Sequence, residues 1–137
     1  MILSDKDIKD YLEKKLLLIE PLSNDTVREN GVDLRVGDEL LRFIYNKEPV
    51  DINDKSALEK VYTKEKVEKD FVIFPQERVL IKIDEKIKMP SNLVGFCNVR
   101  STFARLGLAI PPTIVDAGYE GNLTIMMIRL FPNIPVS

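Results

Sequence analysis

The chain has 137 residues, a formal net charge of −2 and an apolar fraction of 45%, values typical of one ordinary soluble globular domain. A charge this close to zero provides no broad basic surface for DNA or RNA, and no apolar run approaches the roughly 20 residues of a membrane span. Because the amino terminus also lacks the basic-then-apolar order of a signal peptide, we expect a cytoplasmic protein without nucleic-acid or membrane partners.

The sequence contains no histidine and a single cysteine, Cys97. These counts exclude an intrachain disulfide, a His/Cys zinc site within one chain and a Ser-His triad. They also exclude zinc-dependent nucleobase deamination, which needs His and Cys ligands. Any chemistry must therefore use Asp, Glu, Lys, Arg, Tyr, Ser or Thr.

The first half of the chain predicts one helix followed by short strands. Ser4 is a suitable N-cap for a helix over about residues 5–14, because its hydroxyl can accept a hydrogen bond from the first turn. Gly31 and Gly37 bracket a predicted strand over residues 32–36, in which Asp33 and Arg35 share one face. The solvated face of an edge strand explains this pair equally well. Further apolar runs predict strands at 16–19, 40–45, 71–74, 78–83 and 93–99, with a turn at 84–85.

Residues 51–70 carry many charges of both signs, which is the usual composition of wet surface. We expect a solvated insertion here, in part helical or mobile, that takes no part in a site. With its short strands, its amino-terminal helix and one short internal helix, the chain predicts a mainly β fold of the barrel or jelly-roll kind.

Arg100, Ser101 and Thr102 precede a short predicted helix over residues 103–108, which also contains Arg105. A helix start offers unsatisfied backbone N–H groups, and guanidinium groups match the geometry of phosphate oxygens. This group, the Arg100 cluster, is the strongest anion-binding candidate in the chain. The alternative is a capped helix whose arginines pair with acidic neighbours.

Residues 115–123 place one carboxylate, one tyrosine and two glycines between apolar runs. Glycine adopts the positive φ angles of tight reversals, so the stretch predicts a β-hairpin whose tip presents Asp116 and Tyr119. The alternative is a surface turn without a role, because Gly and Asp are common in turns for backbone reasons alone.

Three stretches, at residues 30–34, 98–107 and 115–122, resemble in order the motifs of the dUTPase/dCTP deaminase superfamily. The opening residues 2–8 also resemble the start of a dCTP deaminase. The resemblance covers most of the chain. It implies a distorted jelly-roll β-barrel, a homotrimer, and active sites shared between subunits. It further implies a single dUTPase-like domain over residues 1–137, with 51–70 as an insertion, that lacks the family's last strands and closing tail.

The resemblance assigns roles to the residues of the third motif. Asp116 would orient and deprotonate the water that attacks the α-phosphate of dUTP. Tyr119 would pack against the deoxyribose and leave no room for a 2′-hydroxyl. Main-chain groups of the hairpin, around Val115 and Asn122, would recognise the edge of the base.

The other two motifs would handle the triphosphate. By resemblance, the Arg100 cluster contacts the phosphates of a substrate bound by a neighbouring subunit. Asp33 would support the water shell of a phosphate-bound Mg²⁺, or hold Arg100 in place. Such a metal suits the chain, because Mg²⁺ keeps most of its waters and needs few protein ligands.

One position separates the two activities of the superfamily. Its deaminases use a glutamate ten residues after the motif's aspartate, and here that residue is Met126, between Ile125 and Met127. A thioether cannot transfer protons, and losing a general acid–base costs roughly 10²–10⁴-fold in rate. The dUTPases carry an apolar residue here, so the resemblance implies hydrolysis of dUTP to dUMP and pyrophosphate.

Two other functions stay open. One is dCTP deamination, alone or together with dUTP hydrolysis, with another acid; Glu120 is the only nearby carboxylate besides Asp116. The other is nucleotide binding without catalysis, which is motivated by the family's closing tail that has no counterpart before residue 137.

Overall fold

The computed structural model describes residues 1–130, which contain three helices and ten strands. The helices are α1 (Asp5–Glu13), α2 (Ala57–Val61) and α3 (Ser101–Arg105). The strands are β1 (Leu18–Glu20), β2 (Val27–Arg28), β3 (Gly31–Val32), β4 (Val36–Phe43), β5 (Tyr62–Lys66), β6 (Arg78–Lys88), β7 (Gly95–Cys97), β8 (Leu108–Ala109), β9 (Thr113–Val115) and β10 (Glu120–Arg129). The mainly β prediction is confirmed. None of the helices in this part of the chain is long and apolar enough to cross a membrane.

The strands form three sheets. The largest has six strands in the order β5-β4-β6-β10-β8, with β1 also paired to β6. The others are the two-stranded pairs β2–β3 and β7–β9. Across residues 1–130 these sheets do not close into a barrel, so the expected jelly-roll barrel is not confirmed.

The chain folds into two compact units. Unit 1 comprises residues 1–37, 82–98 and 112–125, and unit 2 comprises residues 38–81, 99–111 and those from 126 onward. Strands β4, β6 and β10 each begin in one unit and end in the other. The prediction that residues 1–137 form a single domain stays a prediction.

Helix α1, in unit 1, begins where its sequence predicts. The Ser4 hydroxyl accepts a hydrogen bond from the Asp7 N–H at 3.4 Å, and the Asp7 carboxylate accepts one from the Ser4 N–H at 3.2 Å. This reciprocal capping box satisfies backbone donors that have no partner within the helix. The helix buries Ile8, and its predicted start is confirmed.

Unit 2 has its own apolar core, and it includes a strand from the charged insertion at residues 51–70. Its buried side chains are Leu40, Ile73, Val79, Ile81 and Leu108. Strand β5 from the insertion pairs antiparallel with β4. Its charges face charges on β4, because Lys64 lies 3.4 Å from Glu39 and Glu65 lies 2.7 Å from Arg42. The insertion therefore contains a strand that its composition did not predict.

One strand prediction and one turn prediction in this part of the chain need correction. The run at residues 71–74 is not a strand, since only Ile73 forms a single bridge. The predicted turn at Asp84–Glu85 is wrong, because β6 continues through it to Lys88. The period-two burial of β6 persists past residue 83, and Glu85 occupies an inward position on this strand.

Candidate active site

A tight turn at residues 116–119, the Asp116 turn, is the centre of the candidate site in unit 1. The Tyr119 N–H donates to the Asp116 carbonyl at 3.1 Å, and Gly118 has a φ of 78°. A hydrogen bond of this span with a positive φ at the third residue is typical of a type II turn. The Gly118 N–H donates to the Pro90 carbonyl at 3.2 Å, and the Met89 N–H donates to the Tyr119 carbonyl at 2.8 Å. The turn is therefore fixed against residues 89–90.

The Asp116 turn is not the tip of a hairpin, so that prediction is wrong. Strand β9 pairs with β7, whereas β10 belongs to the six-stranded sheet. Gly95 on β7 lies opposite Val115, and a Cβ there would be only 3.3 Å from the Cβ of Val115. Glycine therefore leaves room for the buried Val115 side chain. The Asp116 turn therefore joins β9 and β10, two strands that lie in different sheets.

Asp116 and Tyr119 differ in what they offer a ligand. Asp116 is exposed, and Tyr119 is half-buried. The Tyr119 hydroxyl donates to the Asn122 carbonyl at 3.0 Å, and its oxygen lies 3.1 Å from where a Cβ on Gly121 would be. The hydroxyl is thus engaged within the same segment. The ring orientation is fixed locally, and the ring is the part of Tyr119 left to contact a ligand.

Asn122 fastens the exit of the turn to β6. Its side-chain NH₂ group donates to the Ile83 carbonyl at 3.2 Å and to the Asp84 carbonyl at 3.0 Å. Both donor hydrogens of the carboxamide are therefore used by the fold. If Asn122 contributes to base recognition, it does so through its main chain or its side-chain oxygen.

Glu120, the alternative acid, is held in its ionised form. Its carboxylate lies 3.2 Å from the Lys86 ammonium and 3.8 Å from that of Lys88. The hydrogen bond from Lys86, followed by the charge of Lys88, lowers the pKa of Glu120 below its ordinary value. A carboxyl group that stays ionised at neutral pH is a poor proton donor.

Met126 offers no replacement acid. It is half-buried on β10, between the buried Ile125 and Met127, which packs against the core of unit 2.

Asp33 does not lie on a strand, which corrects the predicted strand over residues 32–36. Strand β3 ends at Val32 and β4 begins at Val36. The Asp33 N–H donates to the Thr26 carbonyl at 2.8 Å, which extends the contact between the β2 and β3 segments. Its carboxylate lies 3.9 Å from the Arg28 Nε. Nowhere in residues 1–130 do three or more Asp, Glu, Cys or His residues form a group that could hold a metal ion.

The Arg100 cluster lies in unit 2 on the short helix α3. The helix spans Ser101–Arg105, so it begins and ends two or three residues earlier than predicted. The Arg100 carbonyl accepts a hydrogen bond from the Ala104 N–H at 3.0 Å, and all four side chains of the cluster are exposed. Unit 1 thus holds Asp33 and the Asp116 turn with Val115 and Asn122, while unit 2 holds the Arg100 cluster.

One ion pair in unit 1, between the buried Glu85 and the exposed Arg35, was not predicted from the sequence. Glu85 is 1% exposed, and its two carboxylate oxygens accept hydrogen bonds from the Arg35 N–H at 2.9 Å and the Arg35 Nε at 3.0 Å. The hydrogen bond with Glu85 also raises the pKa of Arg35. The signal was present, because Glu85 stands in the inward phase of an otherwise apolar alternation on β6.

Comparison with known proteins shows which family the chain resembles. The dCTP deaminase-like family model matches residues 2–134. A protein of Sulfolobus islandicus rod-shaped virus 1, named "Probable deoxyuridine 5'-triphosphate nucleotidohydrolase", is 50% identical over 128 residues, covering 93% of this chain and 71% of that protein. A protein named dCTP deaminase from Desulfurococcus amylolyticus is 54% identical over 129 residues, with the same coverage of 93% and 71%. Six further relatives, 47% to 53% identical, are also named dCTP deaminase.

A solved structure supports the same fold. The crystal structure of 2′-deoxycytidine 5′-triphosphate deaminase from Agrobacterium tumefaciens matches with a TM-score of 0.74 and 21% identity. The match covers 98% of this chain but only 43% of that chain. At this identity the similarity bears on the fold alone.

The names of the relatives support dCTP deamination better than the predicted dUTP hydrolysis, which is not confirmed. The superfamily resemblance itself is confirmed. Because the family model matches residues 2–134 and relatives at 50% and 54% identity align with 93% of the chain, the protein belongs to the dCTP deaminase-like family.

Proposed function

We propose that this chain binds a pyrimidine deoxynucleoside triphosphate at the Asp116 turn, and that its own residues suit hydrolysis of dUTP to dUMP and pyrophosphate. Two features together support hydrolysis as the reaction. An exposed carboxylate stands on a turn fixed by main-chain hydrogen bonds, and Met126 occupies the position where the resemblance places the deaminase glutamate. Hydrolysis needs a positioned water, whereas deamination also needs a proton donor for the leaving amine.

In this proposal Asp116 accepts the hydrogen bond of the attacking water and takes its proton as the water oxygen bonds to the α-phosphorus. The bond from that phosphorus to the oxygen bridging to the β-phosphate breaks, and pyrophosphate leaves. The ring of Tyr119 packs against the deoxyribose. The Arg100 cluster of a neighbouring subunit neutralises the phosphate charge. Positioning and charge stabilisation are the main contributions that a protein makes to phosphoryl transfer.

The described residues fit Mg²⁺ only if the nucleotide supplies most of its ligands. They form no cluster of three carboxylates, and Asp33 already lies near Arg28. A bound Mg²⁺ would neutralise phosphate charge, with phosphate oxygens and waters as its ligands. Asp33 would act on those waters rather than bind the metal directly.

Deamination of dCTP is the second candidate, and the comparisons favour it over hydrolysis. Seven of the relatives described above carry that name, against one with a dUTPase name. For this chain the reaction requires an acid other than residue 126. Glu120 does not suit the role, because Lys86 and Lys88 hold it ionised.

A product assay separates the two reactions. The protein is incubated with Mg²⁺ and either dUTP or dCTP, and pyrophosphate, ammonium and the nucleotide products are measured. We expect pyrophosphate and dUMP from dUTP, and no ammonium from dCTP. Ammonium release from dCTP would establish the second candidate and overturn the assignment of hydrolysis alone. Binding of both nucleotides without either product would leave only the non-catalytic function.

A further inference from the structure

Glu85 is a charged residue in a position built for an apolar one. Strand β6 alternates, and its inward side chains before and after Glu85 are Val79, Ile81, Ile83 and Ile87. Burying a carboxylate is unfavourable unless a cation and hydrogen bonds compensate it. A branched apolar residue would continue the pattern at lower cost. The reason for a carboxylate at this position must therefore lie in the groups that it binds.

The Glu85 carboxylate binds the segment between β3 and β4, residues 33–35, through Arg35. The Glu85 carboxylate accepts from the Arg35 N–H at 2.9 Å and from the Arg35 Nε at 3.0 Å. The neighbouring Asp84 N–H donates to the Arg35 carbonyl at 2.9 Å. Arg35 is thus tied to β6 by both ends of its main chain and by its side chain. Residues 33–35 lie between strands, so these bonds fix the segment that carries Asp33.

The same stretch of β6 also holds the exit of the Asp116 turn. Asn122 donates from its side chain to the carbonyls of Ile83 and Asp84 at 3.2 and 3.0 Å, and its own carbonyl accepts from the Tyr119 hydroxyl at 3.0 Å. Residues 83–85 therefore contact both the segment that carries Asp33 and the exit of the Asp116 turn, all within unit 1.

We propose that Glu85 is a positioning residue for the reaction: through Arg35 it holds the Asp33 segment in place relative to the Asp116 turn, with β6 as the common support. This inference rests on the proposed function, since it presumes a reaction at that turn. Glu85 acts through Arg35 and the main chain, and it makes no contact with the nucleotide. An apolar side chain at position 85 would preserve packing and remove the two hydrogen bonds that Arg35 donates to Glu85.

The test compares three variants with the wild-type protein. Glu85→Gln removes the charge and keeps the shape. Arg35→Met combined with Glu85→Met removes both charges, so that no buried carboxylate is left without its cation. The matched control is Arg42→Gln in unit 2, where Arg42 bonds Glu65 and Glu77, each at 2.7 Å. Thermal unfolding, kcat and KM for the preferred nucleotide, and exchange of the Arg35 amide hydrogen are measured for each.

We expect Glu85→Gln to lower kcat at least tenfold with KM changed less than threefold, and to speed exchange of the Arg35 amide. A fall in kcat at constant KM indicates loss of an interaction that matters in the transition state. The double variant should regain thermal stability and keep the low kcat. Arg42→Gln should lose stability without this loss of kcat.

Two outcomes overturn the inference. One is a double variant whose kcat recovers together with its stability. The other is a kcat loss in Glu85→Gln no larger than that of Arg42→Gln at equal folded fraction. If Glu85→Gln does not fold, the double variant alone decides. A wild-type protein that converts neither nucleotide overturns the proposed function and the inference together, whereas an active protein insensitive to Glu85 overturns the inference alone.

Discussion

At position 118 the backbone conformation, rather than the available space, requires glycine. Gly118 has a φ of 78°, and no atom lies within 4 Å of a Cβ built there. Gly31 has equally open surroundings, but its φ lies outside the left-handed region. Position 118 therefore requires glycine for its backbone conformation, whereas position 31 has neither a steric nor a conformational requirement for it.

We expect Gly118→Ala to lower the free energy of unfolding by about 1–2 kcal/mol, because an L-residue in the left-handed region is strained by that amount. Gly31→Ala should change it by less than about 0.5 kcal/mol, as for most surface substitutions. Urea unfolding of both variants measures the difference. Equal effects of the two substitutions would contradict the assignment of strain to position 118.

Asp116 carries the proposed chemistry. Asp116→Asn keeps the size of the side chain and a hydrogen-bond acceptor, but it cannot take a proton from water. We expect turnover to fall by at least about 10²-fold, the lower range for a lost general base, with nucleotide binding changed little. Single-turnover kinetics and calorimetric titration check these two quantities. The control is Asp51→Asn, an exposed carboxylate of the charged insertion, which should keep full activity. Unchanged turnover in Asp116→Asn would remove Asp116 from its role.

Arg129 is a buried cation with incomplete hydrogen bonding. It is 1% exposed, and its Nη1 donates to the Ile73 carbonyl at 3.0 Å. Its Nε and Nη2 find no hydrogen-bond partner within residues 1–130. A buried donor without a partner costs about 1–3 kcal/mol.

We therefore expect Arg129→Met to leave the free energy of unfolding unchanged or to raise it by up to about 3 kcal/mol. Arg42→Met is the comparison, since Arg42 has carboxylate partners at 2.7 Å on both sides, and it should lower that free energy. Urea unfolding measures both. A marked destabilisation by Arg129→Met would show that the guanidinium has compensating partners.

At the scale of elements, local patterns predicted some features and long-range contacts decided others. Ser4 and the charges of the first turn specify α1 through interactions three residues apart, so the sequence alone predicts its start. The Arg35–Glu85 pair joins residues 50 positions apart. No local pattern reveals such a partner, and by local patterns alone two consecutive acidic residues indicate a turn.

The same distinction explains the predicted hairpin. The glycine and aspartate content of residues 116–121 correctly predicted a reversal, because turn chemistry is local. Strand β9 instead pairs with β7, an earlier part of the chain, where Gly95 lies opposite Val115. The sequence around residues 116–121 carries no information on this pairing. For the site, residue types and resemblance indicated candidate side chains, but not the hydrogen bonds that commit Tyr119 and Asn122 to the fold.

One prediction concerns the contact between strands β6 and β10. Lys86, and to a lesser degree Lys88, lowers the pKa of Glu120 below its ordinary value of 4.5. Because the folded pKa lies below the unfolded one, the interaction contributes stability above about pH 4.5 and loses it as pH falls through the folded pKa.

We expect Lys86→Gln to move the pKa of Glu120 up towards 4.5 and Lys88→Gln to move it less, since Lys88 lies farther away, at 3.8 Å. Carboxyl carbon shifts in an NMR titration report this pKa. Equal pKa values in wild type and Lys86→Gln would contradict the contact.

At the scale of the whole molecule, the resemblance implies a homotrimer, and one exposed surface supports self-association. Phe96 and Ile114 lie directly opposite each other in the β7–β9 pair and are 75% and 55% exposed. Aromatic and aliphatic side chains adjacent on one face are typical of surfaces that a partner covers. Ile114 lies two residues before Asp116, so a partner that covers this surface would contact a residue close in sequence to the candidate site.

Light scattering in solution should therefore give three times the chain mass of 15.7 kDa. Phe96→Ser should shift the population towards smaller species by removing apolar contact area. Exposed Phe74, which lies in unit 2, serves as the control, and Phe74→Ser should leave the mass unchanged. A wild-type protein of single-chain mass at micromolar concentration would contradict the implied homotrimer.

The buried carboxylate of Glu85 has one more consequence, which concerns the alignment of strands during folding. Strand β6 repeats apolar residues at 79, 81, 83 and 87, so a slip by two residues would still present an apolar face to the core. Such a slip would move the carboxylate away from Arg35 and leave a buried charge uncompensated. We therefore expect the pair to specify a single register for β6, which its repetitive apolar residues alone leave ambiguous.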